Sequence, residues 1–255
     1  DLNDIQRELN LCKQAFILGV PTSISFDVVK VGERYGVVFE MLDCLSLRDC
    51  ILKNPNKLKE YIKMYADLLK KLGTTDKGDF KIPSAKELEL EYVKVIEPYV
   101  DAADYKRVIE LINSVPDKHT LVHGDCHIKN IMVEGDEPAL IDMDTLSYGD
   151  PIFDLAAICA TYIAFERATP GNNKEFLKID GEKCELIYNE TTRLYFSNLS
   201  DEDYKNNLVK ISALTYVHML YWTIRAEGMN HQRFDFCYDE LKKLLPVVND
   251  LRLEY

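Results

Sequence analysis

Apolar residues recur at two different periods along this chain. Ile5, Leu9, Cys12 and Phe16 fall at helical spacing within residues 3–18, and Gly19 with Pro21 closes that helix. Residues 25–31 and 35–42 are rich in Val, Ile and Phe around Gly32-Glu33-Arg34, which predicts a β-hairpin. The pattern then lengthens, and residues 55–72 and 84–114 read as helices. Residues 120–122 predict a short strand running into a polar loop. Residues 130–133 and 139–143 predict two more strands around the turn Gly135-Asp136-Glu137. From Pro151, which suits a first helical position, the pattern is helical to the end. Within it Ser200 and Asp203 have the form of a helix start. Leu208, Ile211, Leu214, Val217, Met219 and Leu220 then give a broad apolar face. A little β structure thus precedes a mostly α body with a small β insert, and the boundary falls near residues 43–45.

Composition narrows the class. The 255 residues suffice for a core without disulfides, and 47% hydrophobic content excludes a disordered chain. With 43 acidic residues against 31 basic ones the net charge is −12, the wrong sign for a nucleic-acid partner. The acidity is concentrated: residues 101–150 hold 11 Asp/Glu and 4 Lys/Arg. No apolar run of 18 residues predicts a membrane span, and no signal peptide opens the chain. Seven cysteines without a C-x-x-C pair read as buried thiols, so a cytoplasmic location is expected. The first residue is Asp1, which reads as a processed chain or a fragment.

The chemistry lies in residues 121–155, where His123, Asp125, His127, Asn130, Asp142, Asp144, Asp150 and Asp154 fall within 32 residues. Asp125 follows a short strand through Gly124. Asp142 is expected inside the strand 139–143, where a solitary carboxylate is costly to bury. The hairpin 130–143 brings Asn130 and Asp142 to one end, a pair of hard oxygen ligands suited to Mg²⁺ bridging phosphates. One loop away, Asp125 is placed to accept a proton from an incoming hydroxyl.

His123-Gly124-Asp125 with Asn130, then Ile141-Asp142-Met143-Asp144, then Gly149-Asp150-Pro151 running to Ala156, together resemble the aminoglycoside phosphotransferase and choline kinase superfamily. The resemblance implies an α+β, protein-kinase-like bilobal fold. Residues 1–43 would form a partial β N-lobe whose first strands are missing, and residues 44–255 a mostly helical C-lobe. It further implies transfer of the γ-phosphoryl of Mg²⁺-bound ATP (or GTP) to the hydroxyl of a small molecule. Asp125 would be the base, and Asn130 and Asp142 the metal ligands. His123 and Asp154 would support the catalytic loop, and Glu40 and Leu42 would offer backbone groups to the nucleotide base. Glu8 occupies the place of the glutamate that holds a phosphate-binding lysine, but the lysine would lie before the chain begins. Cys44 stands where a glycine usually follows the hinge.

For the acceptor, His127 and the C-terminal residues Tyr216, Trp222 and Glu227 are the candidates. Aromatic rings with carboxylates suit a cationic molecule, an amino sugar or amino alcohol. Nucleotide and acceptor are the only partners expected. Two other readings remain: a non-catalytic nucleotide-binding or scaffold protein of the same fold, and a metal hydrolase built on His123-x-Asp125-x-His127.

Overall fold

The computed structural model describes residues 2–225 and 230–255. Helix α1 (Leu2–Ile17) stops where Gly19 takes a φ of +80°. Its buried face runs through Leu9, Leu11, Cys12 and Ala15. The expected face is therefore rotated: Phe16 is 50% exposed, because the residues that meet the hairpin and the turn at Met143–Thr145 are the ones beside it. Strands β1 (Ser25–Val31) and β2 (Arg34–Phe39) form the expected antiparallel hairpin about Gly32. The second strand ends three residues early, leaving 40–44 as an irregular connection.

Strand β3 (Leu45–Ser46) leads into α2 (Leu47–Lys53), capped by Ser46 Oγ on the Asp49 amide at 3.1 Å. Helix α3 (Leu58–Thr74) follows a 3₁₀ turn at Pro55–Lys57. The long pattern at 84–114 is two helices, α4 (Ala85–Ile96) and α5 (Ala102–Ser114), separated at Pro98, which supplies no amide for an unbroken helix. Strands β4 (Thr120–Val122), β5 (Ile131–Glu134), β6 (Glu137–Leu140) and β7 (Ser147–Gly149) make two small antiparallel sheets, β3-β5-β6 and β4-β7.

The remaining helices are α6 (Ile152–Cys159), α7 (Phe165–Ala168), α8 (Asn172–Phe176), α9 (Gly181–Tyr195), α10 (Asp201–Arg225) and α11 (His231–Leu244). A π-helical turn at Ala160–Ala164 joins α6 to α7. The anticipated start of α10 is realised, with Ser200 Oγ accepting the Asp203 amide at 3.1 Å and donating to its carboxylate at 2.7 Å. Helices α3, α6 and α10 supply the centre of the core, with Tyr65, Tyr162, Leu214 and Met219 buried in it. All seven cysteines are free, and all but Cys44 are buried.

One expectation fails at the end of the chain. After α11 the chain makes one turn at 245–247 and then runs to its end without regular secondary structure, rather than as helix. Leu251 and Leu253 are buried, Asn207 exchanges two hydrogen bonds with Glu254, and the Tyr255 hydroxyl donates to Asp150 at 2.7 Å. Among the described residues no helix is long and apolar enough to cross a membrane.

Candidate active site

The loop after β4 is built to hold Asp125 at the surface of a cavity. Gly124 has a φ of +84°, and a Cβ there would meet the Thr145 side chain at 3.1 Å and its carbonyl at 3.2 Å. Only glycine meets both demands easily. Asp154, buried in the first turn of α6, accepts the His123 amide at 3.0 Å and the Gly124 amide at 2.7 Å. The His123 ring is fully buried: Nε2 is 3.1 Å from the Ile141 carbonyl, and Nδ1 accepts the Asp125 amide. Burial holds this imidazole below its usual pKa. With both ring nitrogens occupied by backbone, His123 has none left for a metal. Asp150 accepts the Ile152 amide at 2.9 Å and pairs with Lys118 at 2.9 Å, completing the turn into α6.

Asp125 has its pKa pushed up to about 6, first by burial and then by the charge of Asp142. Asn130 opposes this, its amide nitrogen donating to the Asp125 carbonyl at 3.0 Å and carboxylate at 3.1 Å. That use of the nitrogen leaves Asn130 Oδ1 as the group turned to other work. The Ile141 amide donates to the Asn130 carbonyl at 3.0 Å, so the two ends of the β5–β6 hairpin stay together. Asp142 departs from expectation in one respect. It lies beyond the end of β6, in a left-handed conformation with φ +66°, because strand pairing stops at Leu140. Few non-glycine residues take this conformation, and aspartate is among those that do.

Asp144 and Glu8 crowd the same place. Burial and then Asp142 raise the pKa of Asp144, and burial followed by Asp144 and Asp142 raises that of Glu8. Glu8 therefore lies close enough to Asp144 and Asp142 to feel their charge. Carboxylates gathered this closely suit a site that a cation would occupy. Among the described residues no three His, Cys, Asp or Glu side chains converge to hold a metal alone. An amide oxygen and carboxylates at one edge fit a hard cation whose shell is completed by phosphate and water.

His127 is 6% exposed, with Nε2 at 3.6 Å from Asp125 Oδ1 and its ring against the edge of Phe176. Burial drives its pKa down to about 4, and among the described residues its Nδ1 has no partner.

Asp125, Asp142 and His127 line a cavity of about 1060 Å³. Trp222 lines it as expected, but Tyr216 does not. Tyr216 lies on the buried side of α10 against Phe236, because two aromatic residues six apart on a helix do not share a face. Glu227 lies outside the described residues. The cavity holds Glu89, Tyr92 and His218, which the sequence reading missed. A signal for Glu89 existed: it sits on the stripe Ala85, Glu89, Val93, Ile96, the buried face of α4, where an acid is out of place. In the connection after β2, the Glu40 amide donates to Ile24 O at 2.9 Å, whereas Leu42 makes no hydrogen bond among the described residues.

Comparison with known proteins bears on all of this. The model of the phosphotransferase enzyme family, APH, matches residues 1–185. No curated protein matches the sequence. Among solved structures, the chain is similar to aminoglycoside phosphotransferase APH(4)-Ia in ternary complex with ADP and hygromycin B. The TM-score is 0.62 at 12% identity, over 95% of this chain and 83% of that one. A choline/ethanolamine kinase family protein from Mesorhizobium loti gives 0.58 at 14% identity, over 94% and 82%. Amicoumacin kinase hAmiN, in complex with AMP-PNP, Ca²⁺ and Ami, gives 0.55 at 13%, over 96% and 78%. At such identities the likeness is one of fold.

Proposed function

The chain belongs to the phosphotransferase enzyme family and is a small-molecule kinase, and from this premise we propose that it moves the γ-phosphoryl of Mg²⁺-bound ATP (or GTP) to a hydroxyl of a small cationic acceptor. The single observation that carries the reading is the junction of Asp125, Asn130 and Asp142 at the edge of one cavity. Asp125 takes the proton of the acceptor hydroxyl as the acceptor oxygen bonds the γ-phosphorus. The bond to the β–γ bridging oxygen breaks, and that oxygen leaves with the electron pair on the nucleoside diphosphate. Asn130 orients Asp125 through its amide nitrogen, and His123 and Asp154 fix the loop from behind. Asn130 Oδ1 and Asp142 would hold Mg²⁺, with Asp144 beside them, and the cation would offset phosphate charge. Residues 1–43 would close over the nucleotide, with the backbone at Glu40 and Leu42 meeting its base. Residues 44–255 would carry the chemistry and the acceptor.

Asp125→Ala is expected to lower transfer about 10²–10⁴-fold while Mg-nucleotide binding persists. Asp142→Asn is expected to weaken nucleotide binding only when Mg²⁺ is present. Calorimetry with and without Mg²⁺ checks both. Binding that ignores the metal in the unaltered protein, or its absence, would favour a non-catalytic member of the fold.

A further inference from the structure

The cavity beside Asp125 presents opposite charges on two stretches of its lining, and among the described residues neither Glu89 nor the two lysines of that lining are fully neutralised. Glu89 of α4 is 4% exposed and faces this cavity. Its Oε2 is 3.2 Å from His218 Nδ1, while His218 Nε2 accepts the Trp222 indole N–H at 2.5 Å. An accepting Nε2 leaves the ring proton on Nδ1, so the imidazole donates to Glu89 and carries no charge. Among the described residues Glu89 Oε1 has no partner. A buried carboxylate oxygen in that state destabilises the protein until a donor reaches it. Trp222 and Tyr92, the latter stacked on Tyr221 at 4.1 Å, add aromatic surface at the same stretch, which suits an ammonium group.

Four basic residues line the cavity elsewhere. Arg48 is tied to Asp49 at 2.8 Å, and Arg233 to Thr169 at 3.2 Å. Lys129 lies over the Phe176 ring at 4.1 Å, and Lys178 holds a left-handed φ of +59°. Among the described residues neither lysine has a carboxylate within ion-pair distance, although Glu175 lines the same cavity. The charge of Lys129 reaches Asp125 and His127, holding down the pKa of both.

We propose that the acceptor is amphoteric: a hydroxyl compound whose ammonium group meets Glu89 and whose carboxylate or similar anion meets Lys129 and Lys178. This rests on the reading of the cavity as the acceptor site.

Three amino-sugar probes separate the groups: glucosamine carries only the ammonium, N-acetylmuramic acid only the carboxylate, and muramic acid both. Thermal stabilisation by each, read without nucleotide, tests the charges whether or not transfer occurs. Muramic acid should bind at least 10-fold more tightly than either of the others. Glu89→Gln should erase its advantage over N-acetylmuramic acid, and Lys129→Met with Lys178→Met its advantage over glucosamine. Without any probe, Glu89→Gln should melt no lower than the parent, whereas a purely structural carboxylate would show a lower melting point and unchanged ratios. Equal affinities, no stabilisation by any of the three, or a uniform loss in the lysine variant would overturn the proposal. A failure of Mg-ATP binding with the predicted ratios intact would instead overturn the kinase mechanism alone.

Discussion

Asp154 bonds two successive backbone amides, and through them sets the direction in which Asp125 leaves β4. Asp154→Ala would strand both amides in a buried place. It is expected to cost about 3 kcal/mol in chemical denaturation, since hydrogen bonds to charged groups are worth about 1.5–3 kcal/mol each. His127 gives a second test. Its folded pKa of about 4 lies below the ordinary value of 6.5, so the unfolded chain takes the proton first. The stability it contributes is complete above about pH 6.5 and drains away as pH falls toward 4, by roughly 3 kcal/mol for a shift of this size. Asp125 works oppositely: its raised pKa of about 6 makes the folded state the better proton binder between pH 3.8 and 6. His127→Asn should therefore flatten the acid loss of stability, and denaturation midpoints from pH 7 to 4.5 would check it. At this scale the spacing of Asp125, Asn130 and Asp142 was legible, because short loops bring near neighbours together. Glu89 and His218 were not, because they join helices 129 residues apart.

Helical and strand periods located α1, the β1–β2 hairpin, α3, β4, β5 and the start of α10, gave no sign of β3, α2 or β7, and erred where tertiary contacts overrule local pattern. The irregular segment after α11 is held by Leu251, Leu253 and Tyr255 against distant partners, and nothing in its own spacing reveals them. The π-helical turn at Ala160–Ala164 was equally hidden. Tyr162 within it gives its carbonyl to Asn173 Nδ2 at 2.7 Å, and its hydroxyl accepts the Ile128 amide of the loop that carries Asp125 at 3.1 Å. The turn thus fastens α8 on one side and that loop on the other. Asn173→Ala would leave that carbonyl without its donor. An unfolding loss of about 1–3 kcal/mol is expected, together with faster hydrogen exchange at 165–178.

For the molecule as a whole, the concentration of acid at residues 101–150 acquires a partial explanation. Asp125, Asp142 and Asp144 belong to it and crowd together with Glu8; burial and then the charge of Asp142 raise the pKa of Asp125 and Asp144, and burial and then Asp144 raise that of Glu8. A divalent cation with nucleotide would relieve that repulsion, so Mg-ATP should raise the melting temperature more than either component alone, by linkage. The fold and the family were readable from sequence, whereas the cavity wall was not, since it is assembled from α4, α8 and α10. The decisive measurement is transfer of a labelled γ-phosphoryl from Mg-ATP to an amino-sugar hydroxyl by the unaltered chain and by Asp125→Asn. Label should appear in the sugar with the unaltered chain and fall by about 10²–10⁴-fold in the variant. Equal transfer by the two proteins, or none by the unaltered chain while Mg-ATP is bound, would contradict the assignment of Asp125 as the base of a small-molecule kinase.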